Sequence, residues 1–395
     1  MRHTTKTNRL FTTLSATGLI LVFLFSSKAV LSAQYTPERF TDSARDSNPQ
    51  RVALLVNQEK RPQYRPRDQR LNEKDTTGWA IYIDNDLLAP GGSDRDYTGG
   101  LSLTLSGKRA TNFWLSADPV LHWIDRRLKL VNDDALTLHS FETGLTIFTP
   151  EDTRATHALN DDRPYSSLVY LSNTREQVNP AARTSLITTL AVGVLGLGIG
   201  EEVQNGIHRA VGSDETNGWD NQISDGGEFT FRYGVASQAI KASQYQSGGV
   251  DYEVTTTSKI SVGYLTDVAW GVSGRLGRLR SPWWTFNPQL NEYSEKSSPL
   301  PNTAKATDEF YIWTGFNLRL RAYNALLQGQ FRDSAVTYNR DELQYVIGEL
   351  WVGVTREFAS GLRLSYFVRG QTSEIKEGSG SRNPVWGGLI ISHAL

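Results

Sequence analysis

Between residues 78 and 395 the chain alternates apolar and polar side chains with a period of two, in one segment after another. Phe310, Ile312, Thr314, Phe316, Leu318 and Leu320 fall on one face of an extended segment; Tyr311, Trp313, Asn317, Arg319 and Arg321 fall on the other. Phe229, Phe231, Tyr233 and Val235 oppose Glu228, Thr230 and Arg232, and Leu362, Leu364, Tyr366 and Val368 oppose Arg363, Ser365 and Arg369. Near 350, Val346, Leu350, Val352 and Val354 oppose Glu349 and Thr355. Such sets lie on opposite faces of a β-strand. Similar segments near 79–87, 97–106, 138–148, 165–174, 184–195, 250–262, 264–275 and 385–395 bring the total to about twelve. Each is roughly 9–11 residues long, the length of a tilted strand that crosses a bilayer.

Apolar-out, polar-in alternation is the signature of an outer-membrane barrel. A soluble β-sandwich would alternate too, with Arg and Glu turned to water from an open sheet. Four features favour the barrel: strand length, aromatic abundance (10 Trp, 16 Tyr, 15 Phe), the absence of cysteine, and an export signal. The expected fold is all-β, a transmembrane antiparallel β-barrel of about twelve strands over residues 78–395, with a short helix in an extracellular loop. Mean hydropathy is −0.40, too polar for a helical membrane protein. The end, Ser392-His-Ala-Leu395, lacks the terminal Phe or Tyr of many such barrels.

An export signal is expected over residues 1–33. Arg2, Lys6 and Arg9 precede an apolar stretch from Leu10 to Phe25, with candidate cleavage after Ala29 or Ala33. Residues 34–77 are polar, rich in Arg, Asp, Gln and Pro, and are expected to be a poorly ordered extension. Residues 112–130 interrupt the strand pattern. After Pro119, Leu121, Ile124 and Leu128 recur at helical spacing beside Arg126, Arg127 and Lys129, which suits either a membrane interface or a helix packed under a long loop.

Net charge is −1, so bulk basicity points to no nucleic-acid partner. Without cysteine there can be no disulfide, zinc-thiolate site or cysteine nucleophile. No G-x-S-x-G or H-E-x-x-H motif occurs, and the glycine-dense Gly196-Leu-Gly-Ile-Gly200 lacks a βαβ context.

Two segments carry candidate chemistry. In Tyr82-Ile-Asp-Asn-Asp86, followed by Asp94-Arg-Asp-Tyr-Thr-Gly-Gly100, alternation puts Asp84 and Asp86 on one face with Asn85 opposite. Oxygen-rich clusters of this kind suit a hard cation such as Ca²⁺; a plain polar strand end would look the same. In Gly200-Glu-Glu-Val-Gln-Asn-Gly-Ile-His-Arg-Ala-Val-Gly212, a helix would set Gln204 and His208 on one face, one turn apart. A His beside an amide or carboxylate is the usual general-base arrangement.

At these two segments the sequence resembles the outer-membrane lipid A 3′-O-deacylase family. The likeness is carried by the strand entering Asn85-Asp86, by Asp96-Tyr-Thr-Gly99, and by Glu202-Val-Gln-Asn-Gly-Ile-His-Arg209 leading into Trp219 and Gln222. It implies a twelve-stranded barrel in the outer membrane of a Gram-negative bacterium, with its site between barrel wall and extracellular loops. The implied reaction is Ca²⁺-dependent hydrolysis of an ester-linked acyloxyacyl chain of lipid A. The implied partners are therefore lipopolysaccharide and outer-membrane lipids; the oligomeric state stays open. The family's active-site positions carry over to Asn85, Asp86, Thr98, Gln204 and His208, with Asp86 on the metal. A family Glu falls at Asp214, a shorter carboxylate, and Arg154 stands nearest a substrate-contacting Lys of the family. The 34–77 extension and a 107–135 insertion depart from the family pattern.

In this reading His208 takes a proton from water, which attacks the ester carbonyl. Gln204 and Asp214 orient the imidazole or the water, and Asn85 and Thr98 fix the metal shell or the oxyanion. A non-catalytic barrel and an outer-membrane phospholipase are the alternatives. A channel would leave a wide lumen; a hydrolase would gather Asp86, Thr98 and His208.

Overall fold

A computed structural model describes residues 73–90, 95–246, 249–296 and 308–395. The expected signal peptide, and residues 34–72 of the expected extension, lie outside the described residues. Residues 73–77 are anchored: Glu73 accepts from the His139 backbone N–H and pairs with His139 Nδ1, each at 2.7 Å.

Twelve strands close into one antiparallel barrel, each paired with its sequence neighbours and β1 with β12. They are β1 (Gly78–Asn85), β2 (Asp96–Ser106), β3 (Leu136–Thr149), β4 (Ser166–Asn179), β5 (Thr184–Leu195), β6 (Glu228–Gln244), β7 (Asp251–Gly263), β8 (Leu265–Arg278), β9 (Glu309–Asn324), β10 (Val346–Glu357), β11 (Leu362–Gln371) and β12 (Val385–Ala394). Most are longer than a bilayer crossing needs; β6 has 17 residues. A crossing sets only a minimum, and the ladders continue beyond it.

The alternating faces separate as expected. Ile312, Leu318 and Leu320 lie exposed on the outer wall of β9, while Tyr311, Trp313, Asn317, Arg319 and Arg321 are buried in the lumen. A soluble sandwich would bury the apolar set; here the apolar set is outside. Among the described residues no helix is long and apolar enough to cross a membrane.

Chain ends and loops define the two ends of the barrel. The terminal end carries Gly78 paired with Ala394 and the short connections 180–183 and 358–361. The loop end carries the long connections 150–165, 196–227 and 325–345, and long loops mark the extracellular side. Helix α1 (Asp118–Arg127) lies in the β2–β3 connection at the terminal end, and α2 (Ile199–Val211) in the β5–β6 loop at the loop end.

The lumen is filled. The connection after β8 turns back into the barrel and brings Glu292, Tyr293, Glu295 and Lys296 against the inner wall. Glu292 lies 2.6 Å from Arg319 and 2.5 Å from Arg321, and it also pairs with Arg232. Lys296 Nζ donates to Asp84 at 2.7 Å. The Tyr293 ring packs 4.7 Å from Phe148 and 5.0 Å from Tyr97, centroid to centroid. Buried charges persist where each has a partner, and this segment brings Glu292 and Glu295 to Arg232, Arg319 and Arg321, beside Asp267 of the wall itself.

Candidate active site on the outer wall

At Asn85 the first strand stops. Its side-chain oxygen accepts from the Leu87 N–H at 2.7 Å and caps a short turn, Asp86–Leu88, while its Nδ2 donates to the Thr98 carbonyl at 2.7 Å. Asp86 is buried in that turn and accepts from the Arg95 N–H at 2.7 Å. Asp84 does not join it. Asp84 still belongs to the strand and faces the lumen, where Lys296 neutralises it. The expected common face for the two carboxylates fails because the strand ends between them.

Thr98 owes its direction to a β-bulge. The β2–β3 register shifts between Tyr97 and Gly99, and a bulge re-aims a side chain. Tyr97 and Gly100 both turn inward: a Cβ on Gly100 would lie 2.4 Å from the Tyr97 hydroxyl and 2.5 Å from Ser294 Cβ. Thr98 turns instead to Thr149, hydroxyl to hydroxyl at 2.6 Å, both buried.

Gly198 and Gly212 bound α2, the latter in the left-handed region (φ 76°), where glycine avoids a Cβ penalty. Gln204 and His208 share its buried face, as their spacing predicts. Val203 packs with Ile147, Tyr165 and Trp219. Ile147 is on the outward face of β3, two residues from Thr149, so the helix sits on the outer wall beside Thr98. Trp219 Nε1 donates to Gln204 Oε1 at 3.2 Å, while Gln204 Nε2 is buried with no hydrogen-bond partner. An unmet buried donor is costly unless a ligand or water meets it.

His208 Nδ1 lies 2.5 Å from the Asp214 carbonyl oxygen. A carbonyl can only accept, so Nδ1 carries the proton and Nε2 is the basic nitrogen. Asp214 thus orients His208 through its backbone. Its carboxylate is 81% exposed and stands 3.7 Å from Arg154, itself 73% exposed. The loop holding that carbonyl is clamped: Asn205 Oδ1 accepts from the N–H and hydroxyl of Thr216, each at 2.8 Å, and its Nδ2 donates to the Thr216 carbonyl at 3.2 Å. Neither Thr149 nor the Asn205–Thr216 clamp carries a signal in the sequence; both arise from chain segments meeting in space.

Among the described residues no three acidic or histidine side chains gather as a metal cage. The polar groups that this turn and the bulge contribute, namely the Asp86 carboxylate, the Thr98 carbonyl held by Asn85 and the paired Thr98 and Thr149 hydroxyls, offer oxygen, the donor type a hard cation takes.

A closed barrel with a lipid-facing apolar wall, a filled lumen and a polar cluster on its outer surface defines an integral outer-membrane protein. More particularly, the chain belongs to the family described as outer membrane protein LpxR, whose model matches residues 52–395. In fold it is similar to the structure of LpxR from Salmonella typhimurium, with a TM-score of 0.62 at 20% identity over 81% of this chain and 100% of that one. The β domain of the Bordetella autotransporter BrkA aligns with a TM-score of 0.39 at 9% identity, over 82% of this chain and 100% of that one. No curated protein sequence matches the chain.

Proposed function

We propose that this protein is a lipid A deacylase, hydrolysing the 3′-O-linked acyloxyacyl ester of lipopolysaccharide at the outer leaflet. The observation that carries the reading is the seating of the buried Gln204–His208 face of α2 on the outer wall beside Thr98. Ile83 on β1, Leu87 in the Asp86–Leu88 turn, Leu101 on β2 and Ile207 on α2 are all exposed on the elements that carry that cluster. A lipid ester can therefore reach it sideways with its acyl chains still against the apolar wall. The filled lumen argues against a diffusion channel.

His208 Nε2 accepts a proton from water as the water oxygen bonds to the ester carbonyl carbon. The C–O bond to the sugar then breaks, and the departing alkoxide takes the proton back from His208, leaving a free fatty acid and a sugar hydroxyl. Gln204 Nε2 donates to the attacking water. Thr149 and Asn85 hold Thr98, and the Asp214 carbonyl keeps the imidazole in the productive tautomer. Asp86, with Thr98 and turn carbonyls, would hold Ca²⁺, which when bound supplies Lewis-acid polarisation of the carbonyl. Arg154 and Asp214 form an exposed pair at the rim, where Arg154 would meet the lipid's anionic headgroup.

The test is mass spectrometry of lipid A incubated with the purified, refolded protein and Ca²⁺. Loss of one acyloxyacyl unit is expected, and its absence with His208→Ala. Intact lipid A after incubation with a folded wild-type barrel would overturn the reading.

A further inference from the structure

The helix at the terminal end is inverted relative to an ordinary surface helix. The expected stripe of Leu121, Ile124 and Leu128 does not form: Leu121 is buried, but Leu128 is exposed, and the buried positions also include Asp118 and Asp125. Carboxylates face the protein. Trp123 (59% exposed) and, just before the helix, Trp114 (81% exposed) face away, with Val120 and Leu128 exposed as well.

What lies beneath explains the inversion. By alternation Asn173, Arg175 and Gln177 of β4 and Thr188 of β5 point outward. At comparable positions near the terminal end, other strands present exposed Leu105, Leu276, Ile312 and Leu364. The 107–135 connection covers this polar section of wall. Asp118 pairs with Arg175 at 2.9 Å, and Asp125 accepts from the hydroxyls of Thr188 at 2.7 Å and Tyr233 at 2.9 Å. The Asn173 amide donates to the Ala110 carbonyl at 3.2 Å and the Gln177 amide to the Leu130 carbonyl at 2.9 Å. The connection is thus fixed to the outside of the barrel, where its outer surface takes the place of the wall's apolar one.

We propose that α1 and its flanks are an interfacial element that docks on the anionic phospholipid leaflet at the terminal end of the barrel. Arg175 and Thr188 lie four residues from the terminal ends of their strands, about 10 Å in from those ends for a tilted strand. The helix above them therefore lies toward the end of the wall, where an interfacial helix buries its apolar face by about 5–10 Å. Tryptophans beside Arg126, Arg127 and Lys129, all three exposed, form the residue pairing that suits this boundary. The leaflet is the occupant because the surface continues the lipid-facing wall. The element lies at the end of the barrel opposite His208 and is independent of the deacylase reading.

The chain has no cysteine, so single nitroxide labels can be placed by Trp114→Cys and Trp123→Cys, with Phe331→Cys in a loop at the opposite end as a water-exposed control. Each full-length variant is refolded, checked for heat-modifiable gel mobility, and reconstituted in vesicles of phosphatidylethanolamine with or without phosphatidylglycerol. Electron paramagnetic resonance then compares access of oxygen with access of a water-soluble nickel chelate. The 114 and 123 labels should favour oxygen, at a depth of about 5–10 Å below the phosphates, and the 331 label nickel. Preference for spin-labelled phosphatidylglycerol should fall roughly fivefold per charge removed by Arg126→Gln, Arg127→Gln and Lys129→Gln. Nickel access at 114 and 123 equal to that at 331 would overturn the proposal. So would labels shielded from both reagents, which would indicate a protein partner, or a lipid preference unchanged by removing the charges.

Discussion

Replacing Glu292 by Gln tests whether the lumen is plugged by electrostatics. Glu292 faces Arg232, Arg319 and Arg321, with Lys259 at 3.6 Å, and all are almost fully buried. Removing one partner of a buried ion pair costs about 3–5 kcal/mol. The lower end applies here, because Asp267 stays 3.4 Å from Arg321 and Glu295 stays 3.3 Å from Arg232. A loss of about 3 kcal/mol raises the undocked population of the plug about 10²-fold. The strand ladders do not involve this side chain, so the barrel itself should persist with its heat-modifiable mobility. Planar-bilayer recording on the refolded variant should therefore show channel openings about 10² times more often than wild type. An unchanged opening frequency in a folded Glu292→Gln barrel would refute the argument and mean that Asp267 and Glu295 alone hold the arginines.

Four further outcomes follow from the geometry. His208→Gln should keep a folded barrel while deacylation of lipid A falls about 10²–10⁴-fold, the usual contribution of a general base; near-normal turnover would remove His208 from that role. Asn205→Ala cuts the clamp on the 212–217 loop, and about 1–2 kcal/mol of lost ordering should lower kcat roughly tenfold with KM little changed. Gly100→Val forces a side chain onto Tyr97 and Ser294, costing about 1–3 kcal/mol, read as a lower temperature of heat modification. Glu374, at the loop end, bonds Arg163 at 2.6 Å and the Tyr293 hydroxyl at 3.0 Å. Burial would raise its carboxyl, but Arg163 and Arg321 hold it below the usual range. A depressed acid contributes stability above its unfolded pKa and loses it as pH falls through the folded one. Glu374→Gln should therefore destabilise at neutral pH, with the gap to wild type closing in acid.

Strand positions and faces are legible in the residues alone because a period-two pattern leaves a closed barrel one arrangement that turns Phe310, Ile312 and Leu318 to lipid and Arg319 and Arg321 inward. The candidate pair Gln204–His208 is legible for a similar reason: four-residue spacing within a glycine-bounded segment puts both on one helical face. Neither inference needs long-range information. Other features come from segments far apart in the chain meeting. Asp84 and Asp86 part company because a turn starts between them and Lys296, 212 residues from Asp84, claims the first. Nothing in residues 279–296 by themselves marks them as a lumen plug; their place follows from Arg232, Arg319 and Arg321 on distant strands, which Glu292 and Glu295 meet. The helix near 120 carries the apolar spacing of an ordinary amphipathic helix, yet it turns its acids inward because Arg175, Thr188 and Tyr233 stand on the wall beneath it. In each case a buried charge or polar group needed a partner, and which distant residue supplies it is settled only when the barrel closes.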